Sequence, residues 1–138
     1  MSEEHERTIA HANAVIKLAD ARYRADIRAG HHDIISDEGP GGGGLDAGPN
    51  PFALVTAGLG ACTVITLRMY AERKGWTFTG LSVALTCYRD ENRTVKIDRT
   101  LTIEGMDAEQ SARMAEIAEK TPVTLALRAG IPIATTLA

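Results

Sequence analysis

Residues 50–75 read NPFALVTAGLGACTVITLRMYAERKG, and this stretch decides the fold. From Pro51 to Leu67 it carries no charged side chain, and Cys62, one of only two cysteines in the chain, lies in its middle. Both ends predict a helix. Asn50 suits the N-cap, and Pro51 suits the first helical position, where a missing N–H costs nothing. Gly75 stops the helix after a charged last turn of Glu72, Arg73 and Lys74. A helix from Pro51 to Lys74 is a rod of about 36 Å, and so apolar a rod must be covered by other parts of the protein. Gly58 and Gly60 each cost about 1 kcal/mol against alanine in a helix interior. With Ala57 and Ala61 they let a second backbone, or a ligand, approach just below the thiol. The rival reading is a membrane span, for which about 20 apolar residues are needed. Three threonines interrupt the run and nothing else in the chain is comparably apolar, so no membrane partner is expected.

At 138 residues the chain is read as a single domain, 1–138, able to bury roughly two-thirds of its unfolded surface. The net charge of −3 and the scattered placement of fifteen basic residues argue against a nucleic-acid partner. The opening MSEEHERT is acidic and has no apolar signal core, so a cytoplasmic location is expected. Two cysteines in that compartment read as thiols rather than a structural disulfide.

Before the helix, strands are expected near Ala10 to Leu18, Arg22 to Arg28 and His32 to Ser36. Residues 36–48 then read SDEGPGGGGLDAG, and the run Gly41 to Gly44, with no side chains to pack, is expected to be a flexible flap. After the helix, Leu81, Val83, Leu85 and Cys87 alternate with polar or small residues as a half-buried strand. Residues 89–94 form a hairpin turn, and the next strand puts Val95, Ile97, Leu101 and Ile103 on one face with Arg99 among them. An arginine there either lies at the sheet margin with its stem over carbons or reaches a buried acid or ligand. Asp107 and Gln110 make a capping box for a helix from Ala108 to Lys120, with a buried stripe of Ala108, Ala112 or Ala115, Met114, Ile117 and Ala118. Pro122 ends that helix, and Thr121 caps a short one running toward Gly130. Ile131 to Leu137 alternates weakly and, with Pro132, reads as an edge strand. The fold class is α+β.

Two readings of Cys62 stand side by side: a nucleophilic thiol, which needs a cation or helix N-terminus beside it, or a small buried hydrophobe. Cys87, on an apolar strand face, is either core filler or a thiol that resolves a sulfenic acid at Cys62. His31 and Asp33 converge on one strand face, yet no metal is assigned to them, and no cofactor motif occurs. The glycine run lacks the Gly-Lys-Ser/Thr ending of a phosphate loop, and there is no G-x-S-x-G elbow.

The run GLDAGPNPFALVTAGLGACTVITLRMYAERKGW resembles the OsmC family, which includes organic hydroperoxide resistance proteins. The likeness lies in a glycine-rich loop, then Gly-Pro-Asn-Pro, then a cysteine twelve residues after the asparagine in a long apolar helix, and it extends over nearly the whole chain. It implies an intertwined homodimer with antiparallel sheets wrapped around paired central helices and sites at the subunit interface. It also implies that the helix cysteine, here Cys62, attacks the peroxide O–O bond, that an arginine and a carboxylate polarise the thiol, and that a second cysteine resolves the sulfenic acid. This chain departs from that pattern. Where the resolving cysteine commonly heads Cys-Pro-Val it has Thr121-Pro122-Val123, followed by Thr124 where a histidine is common, and Phe52 and Ala53 stand where the carboxylate is expected. The resemblance puts forward Arg22 as the arginine, with Arg99 as a less favoured substitute, and Cys87 or an external thiol as the reductant. Two functions follow: thiol-dependent reduction of a small organic hydroperoxide through Cys62, or a catalytically weak dimeric binder of a small apolar ligand.

Overall fold

A computed structural model describes residues 12–138 of the chain. They pack as two compact units, one ending at Leu54 and the other Val55–Ala138, and the boundary falls inside one helix.

In the first unit, β1 (Ala14–Leu18), β2 (Ala25–Ala29) and β3 (His32–Ser36) form an antiparallel meander in that order. The start of the first expected strand, at residues 10–11, lies outside the described residues. The second strand begins three residues later than the pattern predicts, because Arg22 takes a left-handed φ of 48° and belongs to the turn. After β3 the glycine run is not a free flap. Residues Pro40–Gly42 form a 3-10 turn, and the buried Asp37 carboxylate accepts N–H bonds from Glu38 (2.8 Å), Leu45 (3.3 Å) and Ala47 (3.1 Å). The Ser36 hydroxyl and the Asp37 N–H both close on the Pro49 carbonyl. A methyl group on Gly44 would collide with the Glu38 carbonyl, and one on Gly48 with that of Ile35. Backbone packing pins this loop where side chains could not.

Helix α1 (Pro51–Lys74) has the bounds its sequence predicts, and the Asn50 side chain accepts the Ala53 N–H at 2.8 Å. Its length and hydropathy are those of a membrane span, yet its buried residues Leu59, Gly60, Thr63, Leu67, Tyr70 and Ala71 pack within the protein. In the second unit α1 lies on the antiparallel hairpin β4 (Gly80–Arg89) and β5 (Val95–Glu104), whose alternation is as expected. Gly60 explains itself here, because a β-carbon on it would sit 2.8 Å from the end of Leu85 and 3.6 Å from Val83. The apolar core gathers Leu67, Tyr70 and Ala71 of α1 with Met114 and Ala118 of α2 (Ala108–Ala118), edged by Trp76, Phe78, Leu81 and Ile103.

The capping box at Asp107 and Gln110 forms in both directions. Three details differ from expectation. Helix α2 ends at Ala118 rather than Lys120, and Ala108, Ala112 and Ala115 are exposed, so its buried stripe is narrower: Met114 and Ala118, with Ile117 half-buried. Thr121 stands at the N-cap of α3 (Pro122–Ala129), but its hydroxyl makes no cap bond and pairs instead with the Thr124 hydroxyl at 2.6 Å. Residues 131–138 form no strand; Ile131, Ile133 and Leu137 are exposed and no neighbouring strand of the described residues receives them.

Candidate functional site

Cys62 lies half-buried in the middle of α1, and its sulfur is met by a helix N-terminus that is distant in sequence. The Val123 N–H, the second residue of α3, points at Sγ from 3.5 Å. That N–H is one of the first-turn donors that a helix cannot satisfy internally, and the helix dipole adds partial positive charge at the same place. Pro122 supplies the first helical residue without consuming a donor. On the helix itself the Thr66 hydroxyl stands 3.8 Å from Sγ, one turn on.

The helical repeat decides what else the sulfur can meet. Gly60 faces Val83 and Leu85 of β4, and a residue two positions on is turned by about 200° around an α-helix. Cys62 therefore points away from the sheet and toward α3. Cys87 lies on the covered face of β4, on the sheet side of α1, and both cysteines are free thiols. No disulfide joins the two, and among the described residues the partners of the Cys62 sulfur are Val123 and Thr66.

Beside Cys62, α1 is held by a polar cluster built on Arg99, the residue that β5 places on its covered face opposite Leu85. Its side chain is 13% exposed. One terminal nitrogen donates to the Thr63 hydroxyl at 3.0 Å and the Thr124 hydroxyl at 2.9 Å, and the other donates to the Ala118 carbonyl at 3.1 Å. The Glu119 carboxylate lies 3.5 Å away and is shared with Arg128. Thr63 in turn donates to Leu59 O at 2.7 Å, one turn back. Thr63, Thr121 and Thr124 are all buried, and among the described residues no buried side-chain polar atom lacks a partner. Neither alternative for an arginine on an apolar face holds as stated: Arg99 is not at the margin, and its acceptors are two buried threonine hydroxyls and a carbonyl, the one nearby acid, Glu119, being exposed.

Arg22 sits in the first unit, where its Nε donates to the Gly43 carbonyl at 2.6 Å and its guanidinium lies 5.4 Å from the Tyr23 ring centroid. It braces the glycine loop. In the same loop the Asp37 carboxyl is held below its ordinary value: burial raises it, but the N–H bonds from Ala47, Glu38 and Leu45 and the charge of Arg24 together outweigh that.

Sequence reasoning missed Thr63 and Thr124 as acceptors and ranked Arg99 behind Arg22. The available signal was Arg99 itself, a lone charge in an alternating apolar strand.

Toward solvent, the sulfur borders an open apolar strip of α1. Ala61, Ile65 and Met69 recur at helical spacing, and Ile65 and Met69 are 53% and 59% exposed.

The family described as OsmC-like protein is matched over residues 41–136, a span that includes the glycine loop, all of α1 and the Thr-Pro-Val segment. Solved structures agree on the fold. An OsmC-like protein from Mycoplasma pneumoniae aligns with a TM-score of 0.74 at 19% identity, covering 86% of this chain and 88% of that one. An organic hydroperoxide resistance protein OsmC from Legionella pneumophila aligns at 0.66 and 19% identity, covering 87% and 90%. The organic hydroperoxide resistance protein OhrB of Bacillus subtilis aligns at 0.60 and 23% identity, covering 86% and 91%. No curated protein sequence matches the chain. With the long cysteine-bearing helix, its antiparallel hairpin and the glycine-loop entry all in place, the chain belongs to the OsmC family.

Proposed function

We propose that this protein reduces organic hydroperoxides at Cys62 and that an external thiol restores it. The observation that carries the reading is the Val123 N–H aimed at the sulfur of the half-buried Cys62 from the first turn of α3. A donor of that kind favours negative charge on sulfur, and the thiolate is the nucleophile. The redox character of the family and the hydroperoxide resistance named for two of the aligned structures point the same way.

The thiolate sulfur attacks the terminal oxygen of ROOH. An S–O bond forms as the O–O bond breaks, the alkoxide takes a proton from water and leaves as ROH, and Cys62 is left as a sulfenic acid. A first external thiol condenses with it, releasing water and forming a mixed disulfide. A second thiol displaces that disulfide, carries both oxidised sulfurs away and returns the Cys62 thiol. Cys87 takes no part. The apolar strip of Ala61, Ile65 and Met69 favours a fatty or aromatic R group over hydrogen peroxide.

The same strip is the surface we propose for the homodimer, because two copies of α1 would cover each other's exposed apolar side chains. Arg22 enters the mechanism as the polarising cation only through the family resemblance. Cytoplasmic location belongs to the same proposal, since an external low-molecular-weight thiol must be kept reduced.

One observation favours a second reading, a binder of small apolar ligands with little chemistry. Both terminal nitrogens of the Arg99 guanidinium beside the site are taken up by Thr63, Thr124, Ala118 and Glu119 rather than turned toward a peroxide. Cumene hydroperoxide with a small dithiol separates the two. Consumption of peroxide, with one added oxygen on Cys62 by mass spectrometry before the thiol is supplied, is expected; loss of both in Cys62→Ser completes the case. Native protein whose thiols stay unmodified under excess peroxide would make it a binder.

A further inference from the structure

We infer that Arg99 is a positioning residue for Cys62: by bridging Thr63 and Thr124 it locks the first turn of α3 to α1, and so holds the Val123 N–H on the sulfur. For peroxide chemistry the inference rests on the function proposed above; for geometry it does not.

Two contacts join the same pair of helices side by side. Cys62 and Thr63 are neighbours on α1, and Val123 and Thr124 are neighbours on α3. The first of each pair meet through the Sγ to N–H contact of 3.5 Å, and the second of each pair meet through one nitrogen of Arg99, at 3.0 and 2.9 Å. A thiol is a weak acceptor and the 3.5 Å contact cannot hold a helix in place by itself. The bonds of Arg99 are charge-assisted and sheltered from water, and are the stronger of the two sets.

The other bonds of Arg99 complete the lock. Its second nitrogen holds the Ala118 carbonyl at the end of α2, so the turn between α2 and α3 is gripped on both sides. Thr121, buried in that turn, bonds the Thr124 hydroxyl at 2.6 Å and helps hold it toward Arg99. Arg128 and Glu119 tie the far end of α3 to the same turn, and Arg128 also donates to the Glu119 carbonyl at 3.2 Å. Gly60 matters as well: with no side chain between β4 and α1, Leu85 closes on the helix and its cross-strand partner Arg99 reaches Thr63. Because both terminal nitrogens are held by these acceptors, Arg99 acts on the sulfur through the position of Val123.

The test compares Thr124→Val, which keeps the shape and removes the acceptor, with Thr124→Ser, which keeps the hydroxyl. Two readouts need no peroxide: the rate of Cys62 alkylation by iodoacetamide, and the response of the Val123 amide ¹H–¹⁵N resonance to Cys62→Ala. In the native background that resonance is expected to move when the sulfur is removed. In Thr124→Val it is expected to stand still, with alkylation and peroxide oxidation slowed about tenfold, the loss of one such bond. Thr124→Ser is expected to restore both. A folded Thr124→Val with native alkylation and a responsive Val123 amide would overturn the inference. If Thr124→Val does not fold, Arg99→Lys carries the test: an ammonium can span the two hydroxyls but not the Ala118 carbonyl too, so an intermediate loss is expected and native behaviour overturns the inference. A Cys62 inert to peroxide in every variant would count against the proposed function, while the alkylation and resonance readouts would still decide the role of Arg99.

Discussion

The Cys62 sulfur and the Val123 N–H lie 3.5 Å apart across 61 positions of sequence. The contact pairs the middle of one helix, where the dipole offers a thiol nothing, with the beginning of another, where it offers the most.

Thr121 is the N-cap of that second helix and is fully buried two residues before Val123. Thr121→Cys should therefore give the site an internal resolving thiol. After one equivalent of peroxide, peptide mapping should find the introduced sulfur bonded to Cys62, and turnover should continue with a dithiol that reduces the disulfide. Persistent sulfenic acid with no bridge would mean the α3 turn cannot bring the two within the roughly 7 Å Cα separation a disulfide needs.

Cys87 lies on the half-buried face of β4, shared with Leu81, Val83 and Leu85, and both cysteines are free thiols. Cys87→Ser should leave thiol-dependent peroxide consumption within about twofold of the native protein, since no bond to the reacting atoms is lost. A stalled cycle in this variant would assign Cys87 the resolving role after all.

Ile65 stands at the centre of the open strip on α1. Ile65→Glu should leave the helical circular dichroism of the chain intact and convert the proposed dimer to monomer in sedimentation velocity, because a carboxylate there would be buried unpaired between two copies. A monomeric native protein at micromolar concentration would remove the dimer from the proposal.

The Asp37 carboxyl has a folded value below its unfolded one, so the loop it holds is stabilised above the ordinary carboxylate value of about 3.9 and loses that stabilisation as pH falls through the lowered value. Amide exchange at Leu45 and Ala47, corrected for the intrinsic pH dependence, should accelerate in that acid window and not between neutral pH and about 5. Asp37→Asn should show the faster exchange at every pH. Equal protection in both proteins would mean the loop is held by its backbone packing alone.

Local signals carried α1, the β4–β5 hairpin and the capping box at Asp107, because each is decided by residues within a few positions of one another. Three other features needed the folded chain. The stability of the glycine loop comes from main-chain N–H groups converging on Asp37, and a search for packing side chains passes over it. The alanines of α2 are silent about which way they face, since a methyl group is tolerated on either side. Above all, the partners of Arg99 come from positions 63, 118 and 124, and nothing along the chain marks a threonine as the acceptor for a buried guanidinium. The family resemblance put forward Cys62, Arg22 and Cys87 by side-chain identity, whereas the N–H of Val123 beside the sulfur carries no side-chain signal at all.

Besides the Thr66 hydroxyl on its own helix, the partner that the thiol has belongs to the peptide backbone. Any residue but proline at position 123 presents the same group in the same direction. The immediate surroundings of the sulfur are thus insulated from drift in side-chain identity at that position.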